Sequence, residues 1–257
     1  MCSYMIDWKE KLNAFLLDFE YTDDVTGILV CGSFITGDPS IHSDLDVHMI
    51  LDDRVNYRER GNRLIDGLLI EYFANPPRQI LKYFDDDVRD KSLMSLVQFA
   101  TGQIMLDKNG AVKSLKEKAK AMIDSFYNDE RSEVSESTKY YFWDMLDDLQ
   151  DAYGKKKPDF DFLYFNLLNN LLSNYMGCIN RPYTFKAIFG NITDHKIREK
   201  YLLKELPDTS ISDLIAKCIT ASGQDEKMCL FKKLTDEIIN KSGGFDVDKY
   251  KLKTDVE

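Results

Sequence analysis

The sequence has few cysteines, no long apolar run and no excess of positive charge. Its five cysteines are odd in number and scattered without a C-x-x-C pair, which excludes a disulfide-stapled mini-protein and indicates reduced thiols. No run approaches 18 uninterrupted apolar residues, so no transmembrane helix is predicted. Residues 1–20 contain Asp7, Lys9 and Glu10 rather than a basic segment followed by an apolar one, so no secretory signal is predicted. We therefore expect a soluble cytoplasmic protein that does not contact a membrane.

The charge balance is acidic, with 34 lysines and arginines against 44 aspartates and glutamates and a net charge of −10. An acidic chain has no broad electrostatic grip on a polyphosphate backbone, so duplex nucleic acid is not expected as a partner. A cationic small molecule or a metal–nucleotide complex fits this balance, and so does ordinary solubility. With 44% hydrophobic and 30% charged residues, the composition is that of a globular protein.

Apolar periodicity in the first half predicts a small α/β sheet. Helical spacing of apolar residues between Ile6 and Phe19 predicts an opening helix. Three later segments have the apolar runs or the alternation of strands, and a charged segment before the last of them is interpreted as a helix. The predicted strands are residues 27–31, 44–51 and 67–73, and the helix is residues 57–65.

After Pro77 the strand signals stop and helical patterns follow. Residues 106–110 are predicted as a turn and the residues after Gly244 as a frayed, charged tail. The predicted helices are residues 78–102, 111–127, 138–153, 161–176, 183–189, 195–203, 211–220 and 226–240. The sequence thus predicts an α+β protein of two domains: an α/β domain with a small mixed sheet at 1–108, and an all-helical C-terminal domain at 109–257.

Five residues of the first half form a pattern that suits phosphate and divalent cations. Asp44 and Asp46 are two residues apart on a predicted strand, so their side chains point to the same face. Glu71 lies inside an apolar strand, where a carboxylate without a partner is costly, and Mg²⁺ prefers such oxygen ligands. Gly32 and Ser33 follow the first strand, where glycine lets the backbone approach phosphate while amides and the serine hydroxyl donate to its oxygens.

The order of these residues resembles the signature of the nucleotidyltransferase superfamily that includes DNA polymerase β and the antibiotic nucleotidyltransferases. That signature is an apolar strand, Gly-Gly or Gly-Ser, a spacer, Asp-x-Asp on the next strand and a third acid on a later strand. The resemblance implies a nucleotidyltransferase-fold domain at the N-terminus. In it, Gly32 and Ser33 bind the nucleotide, and Asp44, Asp46 and Glu71 are catalytic and bind metal.

Further residues are assigned by the same resemblance. Glu71 is favoured as the third acid over its neighbour Asp66, because Glu71 lies within the apolar run. Ser43 precedes the carboxylates in the Ser-Asp-hydrophobe-Asp form of the small-molecule branch, which implies nucleotide binding. Residues 171–189 are similar to the helical part of aminoglycoside nucleotidyltransferases, in which a lysine reaches the nucleotide phosphates, and this implies nucleotide binding by Lys186.

Acidic residues gather on one face of the predicted helix 138–153. Asp144, Asp147 and Asp148 fall within a sector of roughly 100° on a helical wheel, opposite the apolar face. A solvated helix face explains them without a function; alternatively, they line a cleft between the domains and bind a cationic acceptor. Trp143 lies beside this sector, where it either stacks on a ring of the acceptor or packs at the edge of the core. These four residues are the candidate acceptor-binding residues.

The resemblance implies a metal-dependent nucleotidyltransferase that uses two Mg²⁺ ions and moves a nucleoside monophosphate from an NTP, ATP in the first place, to a hydroxyl group. The helical second half and the acidic balance favour a small-molecule acceptor such as an aminoglycoside-like antibiotic. Transfer to a protein side chain or an RNA end stays open. So does an antitoxin with the same fold that acts mainly by binding a partner protein. The oligomeric state, a homodimer included, is also open.

Overall fold

The first of the protein's two structural units is built around a β-sheet. The computed structural model describes residues 7–20, 22–37, 39–128 and 134–254, and the chain divides into the units Met1–Phe126 and Tyr127–Glu257. Ile6, the first apolar position of the predicted opening helix, lies outside the described residues. The elements of the first unit, in chain order, are α1 Trp8–Leu17, β1 Val25–Cys31, α2 Ser33–Thr36, β2 Leu45–Leu51, β3 Glu59–Ile65, β4 Leu68–Asn75, α3 Pro77–Asp90, α4 Met94–Thr101, β5 Gln103–Asp107 and α5 Ala111–Asn128.

The sheet has the strand order β3-β4-β2-β1-β5. β2 and β4 are parallel neighbours, whereas the other three pairs of neighbouring strands are antiparallel. The sheet is therefore small and mixed. This confirms the predicted α+β class and the predicted sheet of the N-terminal part.

One face of the sheet packs on α1. Side chains along each strand alternate between the two faces, so every second residue points towards this helix. Leu45, Val47 and Met49 of β2 are buried there in one cluster with Leu12 and Phe15 of α1. Asp46, His48 and Ile50 alternate with them along β2 and therefore point to the other face of the sheet.

On that other face, His48 of β2 is buried in an aromatic stack. Its ring lies 5.2 Å from that of Phe73 on β4 and 4.7 Å from that of Phe99 on α4, measured between centroids. Its Nε2 is 3.2 Å from Oε1 of Gln98. Burial lowers the pKa of His48 to about 4, so the ring is neutral at pH 7. His48 is a core histidine of this face.

The prediction of a helix at residues 57–65 is wrong, because Glu59–Ile65 form β3, antiparallel to β4. The turn between the two strands is Asp66-Gly67, with φ angles of 44° and 82°. Two-residue hairpin turns need this pair of positive φ angles. Lys11 of α1 holds the turn by donating from Nζ to the Asp66 carbonyl oxygen at 2.6 Å. β3 is an edge strand of the sheet, and charged side chains on an edge strand prevent pairing with a further strand. The same charges suggested a helix surface.

The turn predicted at residues 106–110 is shorter, because Leu106 and Asp107 belong to β5 and pair with β1, which leaves residues 108–110 for the turn. α5 then packs on β1: a Cβ on Gly27 would lie 2.1 Å from Cγ2 of Val112. Lys116 of α5 also donates from Nζ to the Ala100 carbonyl oxygen at 2.9 Å, at the end of α4. The first unit therefore includes most of α5, whereas the sequence placed the domain boundary before it, at 108.

The described residues of the second unit that follow α5 contain helices and no strand, as predicted for this half. Phe142, Tyr164 and Phe231 are fully buried in its core, and the Tyr164 hydroxyl donates to the Cys218 carbonyl oxygen at 2.8 Å. No helix in the described part of the chain is both long and apolar enough to cross a membrane. The helices of this unit are α6 Glu136–Gly154, α7 Phe160–Cys178, α8 Ile188–Thr193, α9 His195–Lys200, α10 Thr209–Thr220 and α11 Gln224–Lys241.

The helix predicted at residues 183–189 is largely a loop, since α8 begins only at Ile188. The Tyr183 hydroxyl donates to Oδ1 of Asn169 on α7 at 2.6 Å. This contact holds the loop against α7.

The tail after Gly244 is packed rather than frayed over its aromatic residues. The rings of Phe245 and Tyr250 lie 6.3 Å and 4.6 Å from the ring of Tyr140 on α6, measured between centroids. Buried aromatic area offsets the entropy cost of ordering a charged segment.

Gly27→Ala is predicted to destabilise the protein by about 1–3 kcal/mol, because the added methyl group collides with Val112. Urea unfolding followed by circular dichroism measures the change in the free energy of unfolding. Gly154→Ala is the control, since a Cβ there meets no atom within 4 Å. Equal stability of the two variants would contradict the packing of α5 on β1.

Candidate metal centre

Three carboxylates meet on one face of the sheet, at the N-terminal end of β2. Asp46 of β2 pairs in register with Glu71 of the parallel strand β4, so their side chains are neighbours. Asp44 precedes β2, two residues before Asp46. One oxygen from each of the three lies within 4.8 Å of the others. Asp66, the alternative third acid, lies instead at the β3–β4 turn.

The three carboxylates fit a divalent cation with a preference for oxygen. All three are half-buried, and the ligand set contains neither nitrogen nor sulfur. Magnesium prefers such ligands at about 2.1 Å, so two oxygens on one ion lie at most about 4.2 Å apart. Oxygens within 4.8 Å of one another are therefore close to the spacing that one ion requires. No other trio of His, Cys, Asp or Glu ligands is arranged this way among the residues that the structure describes.

The electrostatics of the cluster favour a bound cation. Burial, and then the charges of Asp44 and Glu71, raise the pKa of Asp46 to about 6, against the opposing effect of Arg60. Cys31 pairs with Asp46 across β1 and β2, and burial together with the nearby aspartates raises the pKa of its thiol. Both shifts show that a negative charge is disfavoured at this point. A cation on the carboxylates would offset their repulsion.

Gly32 leaves the room that the Asp46 carboxylate occupies. It has a φ of 77°, and a Cβ there would lie 2.3 Å from Oδ2 of Asp46. The turn into α2 is fixed by Thr36, whose backbone N–H and Oγ1 both donate to the Gly32 carbonyl oxygen at 3.0 Å. The predicted role of Gly32 was an approach to phosphate; the structure adds a steric role beside Asp46.

Arg60 is a residue of this site that the sequence reading missed. It lies on β3, and its Nε donates to Oε1 of Glu71 at 3.1 Å while Nη2 donates to the same oxygen. Its guanidinium also lies over the ring of Phe73, 4.9 Å from the centroid. The Asp66-Gly67 turn is the signal that could have found it, because a two-residue hairpin fixes the pairing of β3 with β4.

The other predicted nucleotide contacts lie in different places. Ser33 is the first residue of α2, beside Gly32. The Ser43 hydroxyl accepts a hydrogen bond from the Ser40 N–H at 2.8 Å and thereby closes the turn before β2. Lys186 belongs to the second unit, where it is exposed in the loop before α8. Nucleotide binding by Ser33, Ser43 and Lys186 stays a prediction.

The four predicted acceptor contacts all lie on α6 of the second unit. Asp147 and Asp148 are exposed and Asp144 is half-buried. Trp143 is partly buried against the helical core, with its ring stacked 6.1 Å from that of Tyr140. The tryptophan therefore has a packing role, and acceptor binding by these residues stays a prediction.

Comparison with known proteins finds a likeness in structure and none in sequence. No protein-family model matches the chain, and no curated protein matches it in sequence. A solved structure of a nucleotidyltransferase-like protein from Exiguobacterium sibiricum is similar, with 10% identity and a TM-score of 0.44, over 92% of this chain and 77% of that chain. Similarity at this level decides neither family nor activity, so the function is inferred from the side chains described above.

Gly32→Ala is predicted to weaken Mg²⁺ binding about 10- to 100-fold, as the loss of a residue that orients a metal ligand does. The reason is the collision of the new methyl group with the Asp46 carboxylate. Isothermal titration calorimetry with Mg²⁺ measures the change. Gly37→Ala is the matched control, since Gly37 also has a positive φ, 90°, but no atom within 4 Å of its Cβ position. Equally weakened binding in both variants would make backbone strain, rather than the contact with Asp46, the cause. Unchanged binding in Gly32→Ala would contradict the prediction.

Proposed function

We propose that the protein is a metal-dependent nucleotidyltransferase. It moves a nucleoside monophosphate, AMP in the first place, from an NTP to a hydroxyl group of a small molecule, with an aminoglycoside-like antibiotic as the acceptor class. The observation that carries the proposal is the trio Asp44, Asp46 and Glu71, with ligand oxygens within 4.8 Å of one another. The Gly32-Ser33 turn beside the trio supports it, because that turn admits a phosphate next to the carboxylates.

In the proposed reaction, an acceptor oxygen forms a bond to the α-phosphorus of the NTP. The bond from that phosphorus to the oxygen that bridges to the β-phosphate breaks, pyrophosphate leaves, and the acceptor's proton passes to solvent. Asp44 and Asp46 would hold divalent cations, and Glu71 would orient one of them. When bound, Mg²⁺ ions would activate the acceptor hydroxyl and neutralise the charge of the triphosphate. The chain itself supplies the rigid position of the three carboxylates.

The composition of the ligand set supports phosphoryl chemistry with Mg²⁺ over hydrolysis with zinc. Zinc sites use cysteine and histidine ligands in most cases. Here the nearest histidine of β2, His48, is stacked in the core with a neutral ring, and Cys31 is held as a thiol by burial. Three carboxylates remain as the donors, which suits Mg²⁺ together with substrate phosphates.

A cationic acceptor is supported by charge. The chain carries a net charge of −10, and Asp147 and Asp148 of α6 are exposed to solvent. An amino sugar carries ammonium groups that such carboxylates bind. We assign Asp144 and Trp143 to the same acceptor surface, and Ser43 and Lys186 to the nucleotide.

Asp46→Asn is predicted to remove essentially all turnover, a loss of at least about a hundred- to thousandfold, because the site loses a charged ligand of the cation. Steady-state release of pyrophosphate measures the loss, and circular dichroism checks that the fold is kept. Asp124→Asn, which makes the same charge change on the exposed face of α5, is expected to act like the wild type. Wild-type turnover by Asp46→Asn would refute the assignment.

The substrate is tested by mass spectrometry after incubation with Mg²⁺, mixed NTPs and a panel of aminoglycosides and lincosamides. We expect one compound to gain the mass of a nucleoside monophosphate, and AMP to be the preferred group. A gain in mass on an added protein or RNA instead would move the acceptor class. Absence of any nucleotidylated product would contradict the proposed activity.

A further inference from the structure

Arg60 places a positive charge of the protein's own on the candidate metal centre. Its guanidinium donates twice to Oε1 of Glu71, from Nε at 3.1 Å and from Nη2. The Glu71 side chain is 19% exposed, whereas that of Arg60 is 70% exposed. An arginine this exposed is free to leave its partner, and the oxygen it uses belongs to one of the three clustered carboxylates.

The guanidinium is aimed at Glu71 by the sheet. Arg60 on β3 pairs in register with Phe73 on β4, two residues beyond Glu71 on the same face. Its charge lies 4.9 Å from the centre of the Phe73 ring, a cation–π distance. Phe73 in turn stacks on the buried ring of His48. The Arg60 guanidinium therefore packs on the ring of Phe73 beside the carboxylates.

We infer that Arg60 is a built-in competitor of the divalent cation: in the absence of a cation it offsets part of the carboxylates' charge, and it releases the Glu71 oxygen when a cation binds. The inference rests on the cation site of the proposed function, though not on nucleotidyl transfer itself. Three carboxylates within 4.8 Å repel one another, and one guanidinium removes part of that repulsion. An exposed ion pair contributes little by itself, so Arg60 lowers the cation affinity without preventing binding.

The inference predicts a gain, which distinguishes it from a merely structural role. Damage to the site weakens cation binding, as expected for any misplaced ligand. Removal of a competing charge instead strengthens binding, because the cation no longer displaces a guanidinium or meets its repulsion. Tighter binding by a variant at Arg60 therefore has no explanation in lost structure.

The test compares Arg60→Gln with Arg63→Gln by calorimetric titration of the full-length protein with Mg²⁺ at low ionic strength. Arg63 is a matched control: it is exposed on the same strand and opposes Ile70, so its side chain points to the other face. Both variants change the net charge equally. We expect Arg60→Gln to bind Mg²⁺ about three- to tenfold more tightly than the wild type. Arg63→Gln is expected to stay close to the wild type. Equal or weaker binding by Arg60→Gln, relative to Arg63→Gln, would overturn the inference.

Thermal stability gives a second readout that needs no turnover. In EDTA, Arg60→Gln is expected to melt below Arg63→Gln, because the carboxylates have lost their counterion. Mg²⁺ is expected to raise the melting temperature of Arg60→Gln by more, since a cation that binds the folded state more tightly stabilises it more. An equal Mg²⁺-induced rise in both variants would count against the inference.

The outcome also separates this inference from the proposed function. Mg²⁺ binding that Asp46→Asn abolishes, with no gain in Arg60→Gln, would sink the role of Arg60 alone. A gain in Arg60→Gln without nucleotidyl transfer to any acceptor would sustain the role of Arg60 and sink the proposed activity. A wild-type protein that does not bind Mg²⁺ would overturn both.

Discussion

The mutual repulsion of three half-buried carboxylates is the constraint around which the first unit is organised. Asp44, Asp46 and Glu71 are held within 4.8 Å of one another, where burial and like charge raise the pKa of Asp46 to about 6. A protein keeps such a group only when something offsets its cost. Two neighbours do so in part: Gly32 gives the Asp46 carboxylate room, and the Arg60 guanidinium supplies countercharge. A hard divalent cation would supply the rest.

Strand pairing is what holds the repelling groups together. β2 lies in the middle of the sheet, paired in parallel with β4 on one side and antiparallel with β1 on the other. This arrangement brings the end of β1, with Gly32, and the middle of β4, with Glu71, to either side of Asp46. Farther along β2 the same face is filled by His48 and its aromatic neighbours. A packed core next to the acids limits how far the strands can move to relieve the repulsion.

The sequence was sufficient for the acids and insufficient for the strand beside them. Alternation along β2 put Asp44 and Asp46 on one face, and the apolar run around Glu71 favoured it over Asp66, as the structure places them. The charged residues of β3 suit either a helix surface or an edge strand, so their pattern predicts a helix, and only the Asp66-Gly67 turn indicates a hairpin. The position of Arg60 beside Glu71 could not be predicted without that strand. In the second unit, helical periodicity predicted most of the helices. It could not predict which helices pack against each other, since helices have no register of backbone hydrogen bonds between them as paired strands do.

The net charge of −10 does not show how the acids differ in their basic partners, and this difference sets Asp44, Asp46 and Glu71 apart. Elsewhere, some acids of this chain have one basic partner each: Asp161 meets the nearly buried Lys227 at 2.8 Å, and Glu205 meets Arg198 at 2.6 Å. In these pairs one positive charge faces one carboxylate, and no ligand is needed to balance them. The trio instead sets three carboxylates beside one guanidinium, that of Arg60, which pairs with Glu71. The uncompensated charge, rather than the number of acids, is therefore the feature that indicates a bound cation, and it lies where two strands and a glycine turn leave it accessible.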